Sequence, residues 1–376
     1  MSTDAPNTPT CPVTHERLPP PHRRYVDFGG PAAGRMFAAK GMVPLQGADF
    51  LHVLFMLTFD PDEKVRAQAL TTAKGAEERT RKIMLGALRD ESLEPPVLAF
   101  FGTILQGDDD LQELVILNNA TLDETIADLA LTSSPRISEL ISQNQLRVLR
   151  TPLILRNLCQ NPSTSKATVD LACDFAIRSG LVMDEVPAMK EARIRIHGPD
   201  VPPPPQLTAE QVLADEKAAL ADETDAPIEE TKKLSLTQRI AKMSVSEKIK
   251  LATLGNKEAR GMLMRDANRL VCMAAVTSPR ITDGEIMLMA ASKTASDDVL
   301  RYIYGSRTWV KNHKIKLALV KNPKVPSATA MRFLSSLRDN EVRDLAKDKN
   351  VPHAVQQQAK KMMDRKNAPV KVGGDH

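Results

Sequence analysis

Apolar residues recur three and four positions apart along most of the chain, and the recurrence stops at polar or proline-containing joints. Phe50, Leu51, Val53, Leu54 and Leu57 form one such apolar stripe, which Asp60-Pro61-Asp62 ends. The next stretch carries Val65, Ala69 and Leu70 on one face, and further helices are predicted over 76–89, 95–106 and 109–118, continuing as short segments to Gly180, which suits a helix C-cap. A second series is predicted over 256–264, 266–276, 283–292, 295–304, 309–320, 326–337, 339–347 and 352–364. Thr121–Glu124, Ser244–Glu247 and Thr282–Glu285 have the spacing of capping boxes. No period-two alternation of useful length appears, so the expected fold class is all-α.

The joints resemble one another. Lys314 to Val320 is an apolar helix end, Asn322-Pro323 a stop, and Val325-Pro326 the start of another helix. Proline lacks the amide hydrogen and pushes the preceding residue out of the α region, while asparagine bonds back to local backbone. Ser278-Pro279 repeats the joint 44 residues earlier, Asn161-Pro162 is a third copy, and Asn119-Ala120, 42 residues before Asn161, is a copy without proline. A spacing of 42 to 44 falls in the range of helical repeat arrays. The motifs resemble those of HEAT-like and leucine-rich-repeat-variant α-solenoids. Asp60 to Leu70 is similar to the second helix of a HEAT unit, and Asn322 to Pro326 with Lys349 to Pro352 to the bacterial variant repeat. The resemblance implies two blocks of stacked helix pairs and extended binding surfaces, and it transfers no site residue. The Asp62–Arg66 and Asp339–Arg343 pairs read as ties between repeats.

The expected organisation is a disordered arm over 1–46, a helical-repeat domain over 47–180, a flexible Pro-rich acidic linker over 181–232, a basic helical-repeat domain over 233–366, and a disordered tail over 367–376. Leu18 to Arg24, with three consecutive prolines, reads as non-helical. Val201 to Pro205 is a polyproline run, residues 207–230 hold eight acids against Lys217, and a short helix is possible over 208–220. Charge sharpens the division. Residues 231–376 hold 29 basic and 13 acidic groups, net +16, whereas 1–230 hold 22 and 34, net −12. Such asymmetry suggests an electrostatic partner, and the acidic segment itself is a candidate to screen the basic block.

No catalytic signature is present: no Gly-x-Gly-x-x-Gly, no phosphate loop, no His-Glu-x-x-His and no Gly-x-Ser-x-Gly. Gly255 to Gly261 reads as a helix stop and restart, Cys11 with His15 as a chance pair, and Asp108 to Asp110 as a helix N-terminus. Cys11, Cys159, Cys173 and Cys272 show no paired spacing and read as reduced thiols. No cofactor or metal is therefore expected, and the chain reads as non-enzymatic and cytoplasmic, with neither a leader nor a spanning segment.

The candidate contact residues are Arg301, Tyr302, Tyr304, Arg307, Trp309, Lys311, Lys314 and Lys316, where the single tryptophan and two of three tyrosines interleave with basic groups. Aromatic faces stack bases and guanidinium groups pair with phosphates. The plainer reading, which is preferred, puts Ile303, Trp309 and Ile315 in the core with the lysines in water. Arg260, Arg265, Arg269 and Arg280 are candidates to extend a basic row. The leading expectation is a scaffold binding an acidic protein surface; the alternative is a module for nucleic acid or an anionic nucleotide.

Overall fold

Every regular element among the described residues is a helix. The structure, a computed structural model, describes residues 10–199, 207–214 and 235–367. None of its helices is long and apolar enough to cross a membrane among these residues. The chain divides into two compact units, one of 1–178 with 182–200 and one of 179–181 with 201–376.

In the first unit the helix Gly47–Leu57 is buried on all sides, from Phe50 to Leu57 without a break. Residues 10–46 pack against this core and are not a free arm. Val13, Leu18, Tyr25, Val26, Ala38 and Ala39 are buried in the same cluster. Pro20–Arg23 forms a single helical turn, although Pro19 precedes it and Pro20 and Pro21 open it, because proline at the first helical positions removes only amides that have no partner there. The helix Ala32–Ala39 follows, and its Arg35 is buried against Asp60 with Nε–Oδ2 at 2.6 Å. Arg35 also donates to the Asp27 and Gly30 carbonyls. An apolar face and a buried ion pair hold this segment, and neither is visible from its proline content.

Helices in this unit pack on the next but one as well as the next. Gly47–Leu57 touches Glu78–Ala87, Asp109–Leu117 touches Pro135–Gln143, and Pro95–Ile104 touches Asp123–Ala130. Asp108 caps Asp109–Leu117 through Leu111 N and pairs with Arg81, while Asp110 pairs with Arg81 and Arg136. The expected tie from Asp62 to Arg66 is not made. Asp62 caps its own helix through Lys64 N, and Arg66 donates to the Asp60 and Pro61 carbonyls. Thr121 forms no capping box either: its buried hydroxyl donates to Val115 O, and Leu122 stands at the cap.

Part of the expected linker is folded. Pro187–His197 is a helix that buries Met189 and Ala192 and packs on Lys166–Arg178. Residues 209–214 are helical in the second unit, where Ala209 and Val212 are buried and Glu210 pairs with Lys250. The remainder of the linker, 200–206 and 215–232, and the tail over 368–376 lie outside the described residues, as do residues 1–9.

The second unit follows the predicted helices closely. Lys257–Leu263, Arg269–Val276, Asp283–Ala291, Asp297–Gly305, Ser327–Leu334, Asp339–Lys347 and His353–Asn367 each fill one predicted span. The predicted 309–320 helix is divided into a 3-10 turn, Trp309–Lys311, and the helix His313–Lys321, because the Asn312 side chain accepts from Lys314 N and starts a new helix. Alternate helices pack here too: Val245–Leu254 on Arg269–Val276, and Asp283–Ala291 on His313–Lys321.

The joints share one hydrogen-bonding device. Asn322 donates through Nδ2 to Ala290 O at 2.8 Å and Ser292 O at 3.0 Å, and its Oδ1 accepts from Lys324 N. Asn161 does the same with Ala130 O, Ser133 O and Ser163 N, and Asn118 with Leu88 O, Asp90 O and Ala120 N. All three side chains are buried and reach back 28 to 32 residues. The proline-free copy is thus centred on Asn118 and not on Asn119, which bonds Glu91 at the surface. Ser278 makes a weaker version, accepting from Arg280 N and donating to Thr253 O.

Candidate docking groove

A groove of about 490 Å³ opens on the second unit. Its first wall is Asp283–Ala291. This helix starts at a complete capping box, in which Thr282 caps Glu285 N and Glu285 returns to Thr282 N. Glu285 is buried and also holds the buried Arg260, with Nε–Oε1 at 2.9 Å and Nη2–Oε2 at 3.1 Å, and Arg260 donates to Gly255 O. Burial works to raise the Glu285 pKa, but Arg260 and Thr282 outweigh it and leave the carboxyl below its ordinary value.

The second wall, His313–Lys321, is fastened at both ends on both sides. Toward the first wall, Asn312 Nδ2 donates to Asp283 Oδ2 at 2.8 Å and Asn322 reaches Ala290 and Ser292. Toward Asp339–Lys347, His313 Nε2 lies 2.7 Å from Glu341 Oε2, and Lys321 Nζ lies 3.4 Å from Asp348 Oδ2. Glu341 is held below its ordinary value: burial opposes the charge, and the Arg338 amide and the His313 ring overcome it. Asp348 is lowered by the Asn350 amide, against its burial, with help from Lys321.

Met287, Leu288, Leu317, Ala318 and Val351 give the groove an apolar floor. Leu288 is 57% exposed and adds open apolar surface beside Leu317 and Val351. Lys293, Lys314 and Lys321 stand exposed on the rim. Glu341 faces His313 and Asp348 faces Lys321, and Lys293 and Lys314 add two more cations to the rim.

The eight candidate contact residues are distributed over three elements. Arg301, Tyr302 and Tyr304 lie on Asp297–Gly305, Trp309 and Lys311 on the 3-10 turn with Arg307 before it, and Lys314 and Lys316 on His313–Lys321. Arg301, Arg307, Lys311 and Lys314 are exposed, whereas Tyr302, Tyr304, Trp309 and Lys316 are half-buried. Ile303 and Ile315 are in the core, and Trp309 is only partly so. Of the eight, Lys314 lines the groove. The expected basic row does not form as drawn: Arg260 is buried on Glu285, Arg269 pairs with Asp298, and Arg265 and Arg280 donate to the Gly261 and Leu254 carbonyls. Sequence reasoning missed Leu288, Leu317 and His313. The signal for Leu288 was an apolar run, Ile286 to Met289, too continuous for a helix with only one buried face.

Comparison with family models, with curated proteins and with solved structures finds no match to this chain. The resemblance to HEAT-like and leucine-rich-repeat-variant repeats rests on the quoted motifs alone.

Proposed function

We propose that both units are stacked helix-pair repeats, that the protein is a non-enzymatic cytoplasmic scaffold, and that the second unit takes an acidic, partly apolar segment of a protein partner into the groove walled by Asp283–Ala291 and His313–Lys321. The observation that carries this reading is the exposed Leu288 on an apolar floor rimmed by Lys293 and Lys314. Apolar contact supplies affinity in such a groove, and the rim charges select the sign of the partner and speed its approach. The next-but-one helix packing and the recurring asparagine joints support the repeat reading. Three rim lysines against Glu341 and Asp348 leave the groove net positive, which supports a preference for anions.

Fluorescence anisotropy with two synthetic amphipathic peptides of equal apolar content, one acidic and one basic, tests it on the full chain. The acidic peptide is expected to bind more tightly, and Leu288→Glu to weaken it roughly tenfold or more. Equal binding of the two peptides, or binding insensitive to Leu288→Glu, overturns the reading. A second reading is favoured by the exposure of Arg301, Arg307, Lys311 and Lys314 beside half-exposed rings: that surface binds nucleic acid or an anionic nucleotide. Gel shifts and nucleotide titrations at low salt would show binding that falls steeply as salt rises, and no binding at low salt removes it.

A further inference from the structure

We propose that Cys159 and Cys173 are a peroxide-sensitive dithiol that closes into an intramolecular disulfide. Their sulfur atoms lie 3.7 Å apart. They sit 14 residues apart on two helices that pack against each other, Leu153–Gln160 and Lys166–Arg178, on either side of the Asn161 joint. A disulfide requires a sulfur separation of about 2.05 Å, so the gap closes by a shift of under about 2 Å, within the reach of side-chain torsions.

The two thiols are placed for different roles. Cys159 is part-exposed and lines a cavity of about 270 Å³ with Arg156, Gln160, Glu185 and Pro187, which admits a small solute. Cys173 is fully buried behind it. The contact with Cys173 favours the Cys159 thiolate against the opposing effect of burial. The same contact, with burial, keeps Cys173 protonated. Because the cavity reaches Cys159 and not the buried Cys173, Cys159 is the attacking group and Cys173 the resolving one.

The chemistry balances with a hydroperoxide as oxidant. The Cys159 thiolate attacks one peroxide oxygen, the O–O bond breaks, and the released hydroxide takes up a proton as water, leaving a sulfenic acid. The Cys173 sulfur then attacks the Cys159 sulfur. The S–O bond breaks, and the departing hydroxide takes the Cys173 proton as a second water. Two thiols lose two electrons in total, and hydrogen peroxide becomes two waters. A dithiol reductant reverses the step by exchange.

The experiment exposes the reduced full chain to a small excess of hydrogen peroxide, then counts free thiols and maps peptides without reduction. The expected result is loss of two of the four thiols, a cross-link between the Cys159 and Cys173 peptides, and full recovery with dithiothreitol. Cys173→Ser should stop at a Cys159 sulfenic acid that dimedone traps, and Cys159→Ser should slow oxidation of Cys173 at least tenfold. Faster oxidation of Cys11 or Cys272, cross-links only between chains, or over-oxidation of Cys159 with Cys173 left free would overturn the proposal. The wild-type map alone decides between these results if either variant fails to fold.

Discussion

Asn322 and Ala290 are joined by a buried hydrogen bond of 2.8 Å that spans 32 residues. The same amide also reaches Ser292 O, and its oxygen holds Lys324 N, so one side chain serves three backbone groups. Truncating it leaves buried carbonyls without a donor, at about 2 kcal/mol or more. Asn322→Ala should therefore lower the urea midpoint of the second unit clearly. Pro323→Ala should shift it much less, since the Asn118 joint makes the same bonds without proline. The single tryptophan, Trp309, lies in this unit and reports its unfolding by fluorescence. Equal losses from the two substitutions would show that the proline and not the amide holds the joint.

The Arg260–Glu285 pair makes a second prediction. Removing one partner of a buried ion pair strands the other charge, at about 3 to 5 kcal/mol. Arg260→Met should approach that loss. Arg260→Met with Glu285→Gln should recover a good part of it, because the amide of glutamine can still reach the Thr282 backbone. A double variant no better than the single one would show that Glu285 is satisfied without Arg260.

Acid sensitivity follows from the groove walls. Glu285, Glu341 and Asp348 are all held below their ordinary values. A carboxyl whose folded pKa is depressed contributes stability above its unfolded value of about 4 and loses it as pH falls through the folded value. Trp309 fluorescence should accordingly show a urea midpoint that is level in these groups from about pH 5.5 upward and falls toward about pH 3. His313→Ala should shrink the Glu341 share of that fall. An acid limb unchanged in Glu341→Gln would mean that this carboxylate carries none of it.

The amino-terminal segment gives a test by proteolysis. Leu18 is 1% exposed, and truncating a buried leucine costs about 2 to 5 kcal/mol. Trypsin should cut slowly after Arg23 and Arg24 in the intact chain and faster in Leu18→Ala. Rapid cleavage of both proteins alike would mean that the segment does not hold its place.

Helix positions in the second unit were legible because its stripes are regular and its caps explicit: Thr282–Glu285 reads and folds as a box. The same rule failed at Thr121, where the Val115 carbonyl of the preceding helix took the hydroxyl. The prolines before Arg23 obscured a folded segment, because the ion pair that fixes it, Arg35 to Asp60, joins residues with no local signature. Within the candidate site, Lys314 was readable as a basic group beside aromatics. Leu288 was not, because its exposure depends on which side of Asp283–Ala291 the neighbouring helices leave uncovered. Cys159 and Cys173 were unpaired by spacing, yet a helix turn and a joint bring their sulfurs together.

The asparagine joints also impose a direction. Asn118, Asn161 and Asn322 each take their backbone acceptors from chain that lies before them. During synthesis those carbonyls have already left the ribosome when the asparagine emerges, so its amide never waits for a later segment. Maturation can thus advance like a ratchet from the first residue toward the last, each click fastening the stretch just completed.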